Sequence, residues 1–464
     1  MFKKIEIWIL YLVVLLSILF AIGFGVLVRQ EIVGDTKLGR FDISGISRPA
    51  AYIASLPEQF LKKILKPNPN RVNDAWDEDR FFFVQKGFEG TPNSFESYLL
   101  LSRYDGDLNE GVVELVDLTN FKVLHTWNPD IDAFNNMIDQ VDEFKYLDRD
   151  DNNSRKTLMH PKLTSDGGLI FGWNSPLRKI DACSKIIFQN TADIFHHSIE
   201  TDNSGNIWAA SHMYPQTLSS EKVGRDVFGD AGYLDDAIVK LNPSGEILYE
   251  KSLSQVFLEN DMEYLLFLGG GLTFNRDPIH LNDVQPVNND SEYWKEGDVF
   301  LSLRHQSMII LYRPSSNKII WKGTGPFFHQ HDIDILDDHT ISIFDNNAKI
   351  FKDGRTVDGF NKVIIYNFKE DSYTTYMSDS LAEHDVRTPN QGRSEILPNK
   401  ELFIEESFYA RTLYFNADGS LRWSHVNTAN NDKVYKVGWS RILYTQEDIK
   451  IVNNFLNIRG ACNE

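Results

Sequence analysis

Residues 197–212 read HSIETDNSGNIWAASH, and residues 237–250 read AIVKLNPSGEILYE. In each stretch two short runs rich in β-branched, aromatic and apolar residues flank a tight turn, Ser204-Gly205-Asn206 in the first and Pro243-Ser244-Gly245 in the second. Runs bounded in this way are strand signals, and turns this short join antiparallel neighbours. The unit predicts four antiparallel strands. The same grammar recurs around Asp166-Gly167-Gly168, Glu296-Gly297-Asp298, Asp338-His339-Thr340 and Asn399-Lys400-Glu401. A further copy is split: Tyr98–Arg103, Gly111–Leu118 and Lys122–Trp127 supply three strands with no first strand before them. The missing strand lies at the far end, where Gly438-Trp-Ser-Arg-Ile-Leu443 matches Gly392-Arg-Ser-Glu-Ile-Leu397 of the preceding copy. The predicted fold is therefore all-β, a six-bladed β-propeller over residues 95–445 whose carboxyl-terminal strand closes the first blade. A pair of β-sandwiches would not account for the split copy.

Ahead of this body, Ile7 to Val28 is 22 residues without a charge. As a helix at ~1.5 Å per residue it spans about 33 Å, enough to cross a bilayer. The apolar core of a cleavable signal peptide is only ~7 to 15 residues, so the reading is an uncleaved single-pass anchor within residues 1–29. Lys3 and Lys4 place the stub in the cytoplasm and the remainder on the extracytoplasmic side, the periplasm in a Gram-negative bacterium. Residues 30–94 form a connector with one expected helix near Ala50 to Leu65, stopped by Pro67 and Pro69, and residues 446–464 are a tail. With 47 Lys and Arg against 66 Asp and Glu, the net charge of −19 disfavours nucleic acid as a partner. Thirty-one Phe, 18 Tyr and 9 Trp are ample for a large core and exclude a disordered chain. Cys183 and Cys462 are too few for a disulfide scaffold, and whether they pair is left open.

In a propeller the start of each first strand and the end of each second strand share one face, and the long loops here, 130–159, 213–235, 254–280, 346–360 and 378–392, fall on it. That face is expected to carry function. The first-strand starts hold His160, His196-His197, His280 with Asn282, and His329-Gln330-His331-Asp332; the second-strand ends hold Asn174, His212, Arg304, Asn346 and Ser407. His160 alone reads as structural. Together, imidazoles and a guanidinium converging on a channel mouth suit a tetrahedral oxyanion better than a metal ion, so neither metal nor cofactor is expected. A neutral imidazole can attack an electrophilic centre while a neighbour protonates the leaving oxygen. On a regular strand His196 faces away from His197. Gly269-Gly270-Gly271 reads as a lid segment, and the Asp-rich stretch from Asp148 as a solvated loop.

The segments FHHSIETDNSGNIW, IHLNDVQPV, GDVFLSLRHQSMIILYRPSSNKIIWKGTG and FFHQHDIDILDDHTISIFDN resemble the bacterial arylsulfate sulfotransferase family over roughly residues 95–445. The resemblance implies a six-bladed propeller that moves a sulfuryl group from an aryl sulfate ester to a phenolic acceptor, without 3′-phosphoadenylyl sulfate, through a sulfohistidine. By motif, His331 would be the nucleophile, and His197, His280 and Arg304 would hold sulfate oxygens and help protonate the leaving phenol. Asn282, His212, His329, Asn346 and His196 are the expected substrate-binding neighbours. The family's better-studied members carry an amino-terminal sandwich domain and a close-spaced disulfide; here the connector is too short for the first, and Cys183 and Cys462 lie far apart in sequence. Two rival readings are a Ca²⁺-dependent six-bladed hydrolase and a non-catalytic tethered propeller that binds a sulfated or aromatic ligand.

Overall fold

The structure, a computed structural model, describes residues 6–33, 85–138, 157–225, 231–267, 274–352 and 354–459, with the shorter stretches 37–38, 41–43, 45–47, 49–54, 56, 71–72 and 462. The chain divides into two compact units. The first, residues 1–67 with 270–273, contains the helix Ile7–Val33 and a two-residue strand pair, Lys37–Leu38 with Phe41–Asp42. Ile7–Gln30 is long and apolar enough to cross a membrane. Residues 49–54 and 56 are helical, and the rest of the helix expected up to Leu65 lies outside the described residues.

The second unit, residues 68–269 and 274–464, is an all-β, propeller-like array of antiparallel sheets. Arg441–Leu443 pairs with Tyr98–Asp105, which is followed outward by Glu110–Asp117 and Lys122–Trp127. The carboxyl-terminal strand thus supplies the strand that the split copy lacked. A seven-stranded sheet follows, from Met159–Leu163 to Ile247–Ser252. Its central strand, Ile186–Thr201, pairs through its first half with Ser175–Ile180 and through its second half with Ile207–His212. Next come Leu281–Pro286 to Lys318–Thr324, then Ile333–Ile335 with Thr340–Asp345, Lys362–Asn367 and Ser372–Tyr376. Arg393–Ile396 opens the last sheet, and beyond its fourth strand, Leu421–Val426, lies Gly87–Gly90. That fifth strand falls inside the stretch expected to be connector, where four residues around two glycines give no strand pattern.

Sheet packs on sheet with both faces buried. Trp208 and Ile238 of one sheet share a cluster with Leu281, Leu301 and Ile310 of the next, whose opposite face places Phe300 and Leu311 against Ile341 and Ile364. Strands such as Ile207–His212 and Thr340–Asp345 are consequently buried at every position, their polar residues included. The innermost strands are bridged by side chains. His160 Nδ1 accepts from Ile199 N at 2.9 Å, Ser198 Oγ from Val284 N at 2.8 Å, Asp283 Oδ2 from Ile333 N at 2.9 Å, and Asp332 Oδ2 from Ser394 N at 3.1 Å. Glu405 takes the N–H groups of Trp439 and Ser440, and Arg441 Nε donates to Pro161 O at 2.9 Å, which returns the chain of bridges to its start.

The tail folds as the helix Gln446–Ile458, capped by Thr445 and Asp448, and its Phe455 ring lies 4.8 Å from that of Trp127. Cys183 and Cys462 form a disulfide across a sequence separation of 279 residues. The triglycine at 269–271 and the stretch from Asp148 lie outside the described residues. A cross-link that closes so long a loop removes much unfolded-chain entropy, so Cys183→Ser is expected to cost about 2–4 kcal/mol, read as a lower urea midpoint under non-reducing conditions. An unchanged midpoint would show that the tail is not held through this bond.

Candidate active site

The site is built by a repeated backbone irregularity. His160, His197, His280, His329, Gln391 and Trp439, each at or just before an innermost strand, all have left-handed backbones, with φ between 48° and 60°. For a residue with a Cβ this conformation is disfavoured, and it marks places where surrounding structure over-determines the chain. Register shifts fall between His196 and Ile199, between Leu281 and Asp283, and between Met159 and Lys162. A bulge re-aims side chains, and here it overturns the expectation that His196 faces away from His197. The two rings instead meet, Nδ1 to Nδ1, at 2.7 Å.

His196, His197, His212, His280, Arg304 and His331 line one cavity of about 250 Å³. Asn174 is also in its wall. Asn282, His329 and Asn346 are not. Asn282 Nδ2 donates to Gln330 O, His329 Nδ1 meets Ala348 O, and Asn346 lies behind His331. His160 is fully buried in the bridge to Ile199, and Ser407 Oγ donates to Glu405. Around the axis the His197 ring is 5.3 Å from that of His280, 6.2 Å from that of His331 and 6.1 Å from that of Trp439.

Each key side chain has a defined partner. His331 Nδ1 is 2.5 Å from Asn346 Oδ1, while Asn346 Nδ2 donates to Thr388 O and Gln391 O, so its oxygen is free to accept. His331 therefore carries its hydrogen on Nδ1, and its Nε2 lone pair accepts from Gln391 N at 2.9 Å. Burial, reinforced by the Arg304 charge, holds the His331 imidazole well below its ordinary pKa, so it is neutral at pH 7. His197 is depressed likewise, by burial and then by His196 and His280. His280 Nδ1 is 2.5 Å from Asp277 Oδ2, and its Nε2 is 3.4 Å from Arg304 Nη1. Burial opposes the charged form of Asp277, yet the His280 hydrogen bond and charge keep its carboxyl below the usual range. Arg304 is pushed down to about 9 by burial and by the charge of Arg355, and still carries its charge at pH 7. Both guanidiniums donate to Asn390 Oδ1, and no carboxylate among the described residues forms an ion pair with Arg304.

Residues 160–428, more than half of the chain, match the arylsulfotransferase (ASST) family. The chain belongs to the arylsulfotransferase family. No curated protein matches it in sequence. Among solved structures it is similar to a protein of unknown function from Bacteroides caccae, at 9% identity and a TM-score of 0.42, covering 71% of this chain and 93% of that one. It is also similar to a virginiamycin B lyase from Staphylococcus aureus, at 11% identity and a TM-score of 0.34, covering 59% and 71%.

For an arylsulfotransferase fold the cavity holds more than the sequence reading supplied. Trp173, Asp236, Asn390, Gln391 and Phe408 also line it, while Asp277 and His305 stand behind His280. Trp439 was within reach of the sequence, because the match of Gly438-Trp-Ser440 to Gly392-Arg-Ser394 puts it at an innermost strand start. Asp236 and Asp277 had no such signal, since they sit at loop ends outside the repeated positions. Among the described residues three clusters have metal-ligand composition: His196, His212 and Asp236, and Asp277, His280 and His305, both at the cavity, and the solvent-facing Asp337, Asp338 and His339.

Burial pushes His329 down to about 4 and His425 down to about 3. Between roughly pH 6.5 and these values the unfolded chain binds protons that the folded protein refuses, so stability rises with pH in this window and is lost on acidification. The urea midpoint is expected to fall steadily from pH 6.5 to 4, and His425→Gln to flatten the slope. A slope unchanged by that substitution would contradict a neutral buried imidazole at this position.

Proposed function

We propose that the second unit is a six-bladed propeller and that it transfers sulfuryl groups from an aryl sulfate ester to a phenol through a sulfohistidine at His331. The blade count rests on Ile186–Thr201, which ends one four-stranded blade and begins the next, so that the seven-stranded sheet counts as two. The functional reading is carried by the convergence of His331, His197, His280 and Arg304 on one cavity.

The chemistry follows from the partners. Sulfuryl transfer, like phosphoryl transfer, spreads negative charge over three equatorial oxygens, with the entering and leaving atoms in line. Arg304, charged and in no ion pair with a carboxylate among the described residues, clamps that charge. The His331 Nε2 lone pair forms the N–S bond as the S–O bond to the aryl group breaks. Asn346 Oδ1 steadies the Nδ1–H, which becomes more acidic once Nε2 is sulfated. The Gln391 N–H that caps Nε2 in the free protein is released to a sulfuryl oxygen. His280, its Nδ1 held by Asp277 Oδ2, delivers the proton to the departing phenolate. In the second half the acceptor phenol gives its proton back to His280, its oxygen attacks sulfur, and the N–S bond breaks. Trp173 and Phe408 supply aromatic walls for the aryl ring.

The helix Ile7–Val33 is assigned as an uncleaved anchor, with the propeller outside the cytoplasm and the bilayer its lipid partner. The Cys183–Cys462 bond supports an oxidising compartment. The deciding assay uses the full chain in detergent with an aryl sulfate, with and without an added phenol. Phenol release is expected only when acceptor is present. His331→Asn should abolish it and trap no sulfated protein, and Arg304→Ala should lower kcat/KM by about 10²- to 10³-fold. Binding of aryl sulfate without turnover would favour the tethered binding propeller instead.

A further inference from the structure

We propose that His196, His212 and Asp236 form a site for a divalent transition metal, zinc by donor chemistry, whose open position faces the cavity. The site does not depend on the transferase reading, and it departs from the expectation of no metal, which took the histidines without Asp236. The three residues come from neighbouring strands. His196 lies in Ile186–Thr201, His212 ends Ile207–His212, and Asp236 starts Asp236–Leu241, directly paired with His212. All three are buried, Asp236 completely, and all three touch the cavity.

The spacing argues for a shared ion rather than a shared proton. His196 Nε2 and His212 Nε2 lie 3.3 and 3.4 Å from the same oxygen, Asp236 Oδ1. A charge-assisted N–H···O bond is ~2.7–2.9 Å long. Neither contact has hydrogen-bond geometry, so His196 Nε2 and Asp236 Oδ1 are buried without a hydrogen-bond partner. Two ligands held at the ~2.0–2.1 Å of zinc in a tetrahedron stand about 3.3–3.4 Å apart, which is the separation seen. Two imidazoles, one carboxylate and a fourth position open to a cavity are the donor set of a zinc site that keeps room for an exogenous oxygen.

The outer contacts of Asp236 and His196 fit as well, while His212 Nδ1 is buried without a hydrogen-bond partner among the described residues. Asp236 Oδ2 accepts from His280 N at 2.9 Å, which aims Oδ1 at the imidazoles. His196 Nδ1 meets His197 Nδ1 at 2.7 Å. With Nε2 of His196 bound to a metal, its hydrogen sits on Nδ1 and donates to His197, which fixes the other hydrogen on the far nitrogen of His197. The remaining clusters are weaker. In the first, His280 and Asp277 are already closed by a 2.5 Å hydrogen bond, and in the second, Asp337, Asp338 and His339 are solvent-facing.

The test is metal binding itself, on the full chain in detergent, stripped with chelator and titrated with zinc or cobalt(II). One zinc per chain by elemental analysis, and the intense visible bands of four-coordinate cobalt, are expected for the unaltered protein. Asp236→Asn and His212→Ala should each weaken zinc at least 10-fold, while a variant with Asp337→Asn, Asp338→Asn and His339→Ala together should bind as before. Zinc below about a tenth of an equivalent, six-coordinate cobalt bands, or affinity unmoved by the first two substitutions would each overturn the assignment. The cobalt spectrum of the unaltered chain decides the matter should either variant fail to fold.

Discussion

The backbone groups on the free edge of each innermost strand must find partners, and everything else in this fold follows from how they do. An innermost strand has a sheet neighbour on one side only, so its other N–H groups face the crowded axis, where a buried unpaired donor is costly. They are satisfied from the adjoining sheet, with His160 serving Ile199, Ser198 serving Val284, Asp283 serving Ile333 and Asp332 serving Ser394. Such bridges work only if every sheet has a neighbour on both sides. The closing pair of Glu405 with Trp439 and Ser440 is therefore part of the same constraint, and it explains why the last strand in sequence has to return to the first sheet.

The same crowding creates the site. To aim a polar group across at the next strand, the chain bulges at the strand start, and the residue there is forced into the left-handed region at a cost of about 1 kcal/mol or more each. Histidine occupies four of these six positions. A conformation required by closure thus also turns His197 and His280 toward a common axis, and it sets His329 two residues ahead of His331 with its carbonyl 3.2 Å from His331 Nδ1. The scaffold and the chemistry share one cause.

Electrostatics separates the cavity from the layer next along the inner strands. Arg393 is buried among Asp332, Asp334 and Glu395 at 3.5–3.9 Å, and burial, which would lower its pKa, is outweighed by those carboxylates. Arg441 Nη1 pairs with Glu200 at 3.0 Å. Those cations are spent within the protein. Arg304, which no carboxylate among the described residues pairs, keeps its charge available to a bound anion, and the His331 and His197 imidazoles stay neutral because burial and its charge work in the same direction.

Much of this was legible in the chain. Turn residues at regular intervals, the split copy and the Gly-x-Ser match between 438–443 and 392–397 determine a closed all-β ring, because strand pairing is set by local pattern and closure by which copy lacks a strand. The recurrence of histidine at strand starts marked His197, His280 and His331 for the same reason. The meeting of His196 with His197 was hidden, since a bulge breaks the two-residue period on which any facing argument rests. So were Asp236, Asp277 and the strand at Gly87–Gly90, whose neighbours are remote in sequence and carry no periodic trace. Sequence by itself determined the ring and its family, which depend on local propensity and repetition. Only the tertiary structure decided which polar groups share a carboxylate, a tautomer or a possible ion, because those depend on distances of a few tenths of an ångström between strands that local pattern does not encode.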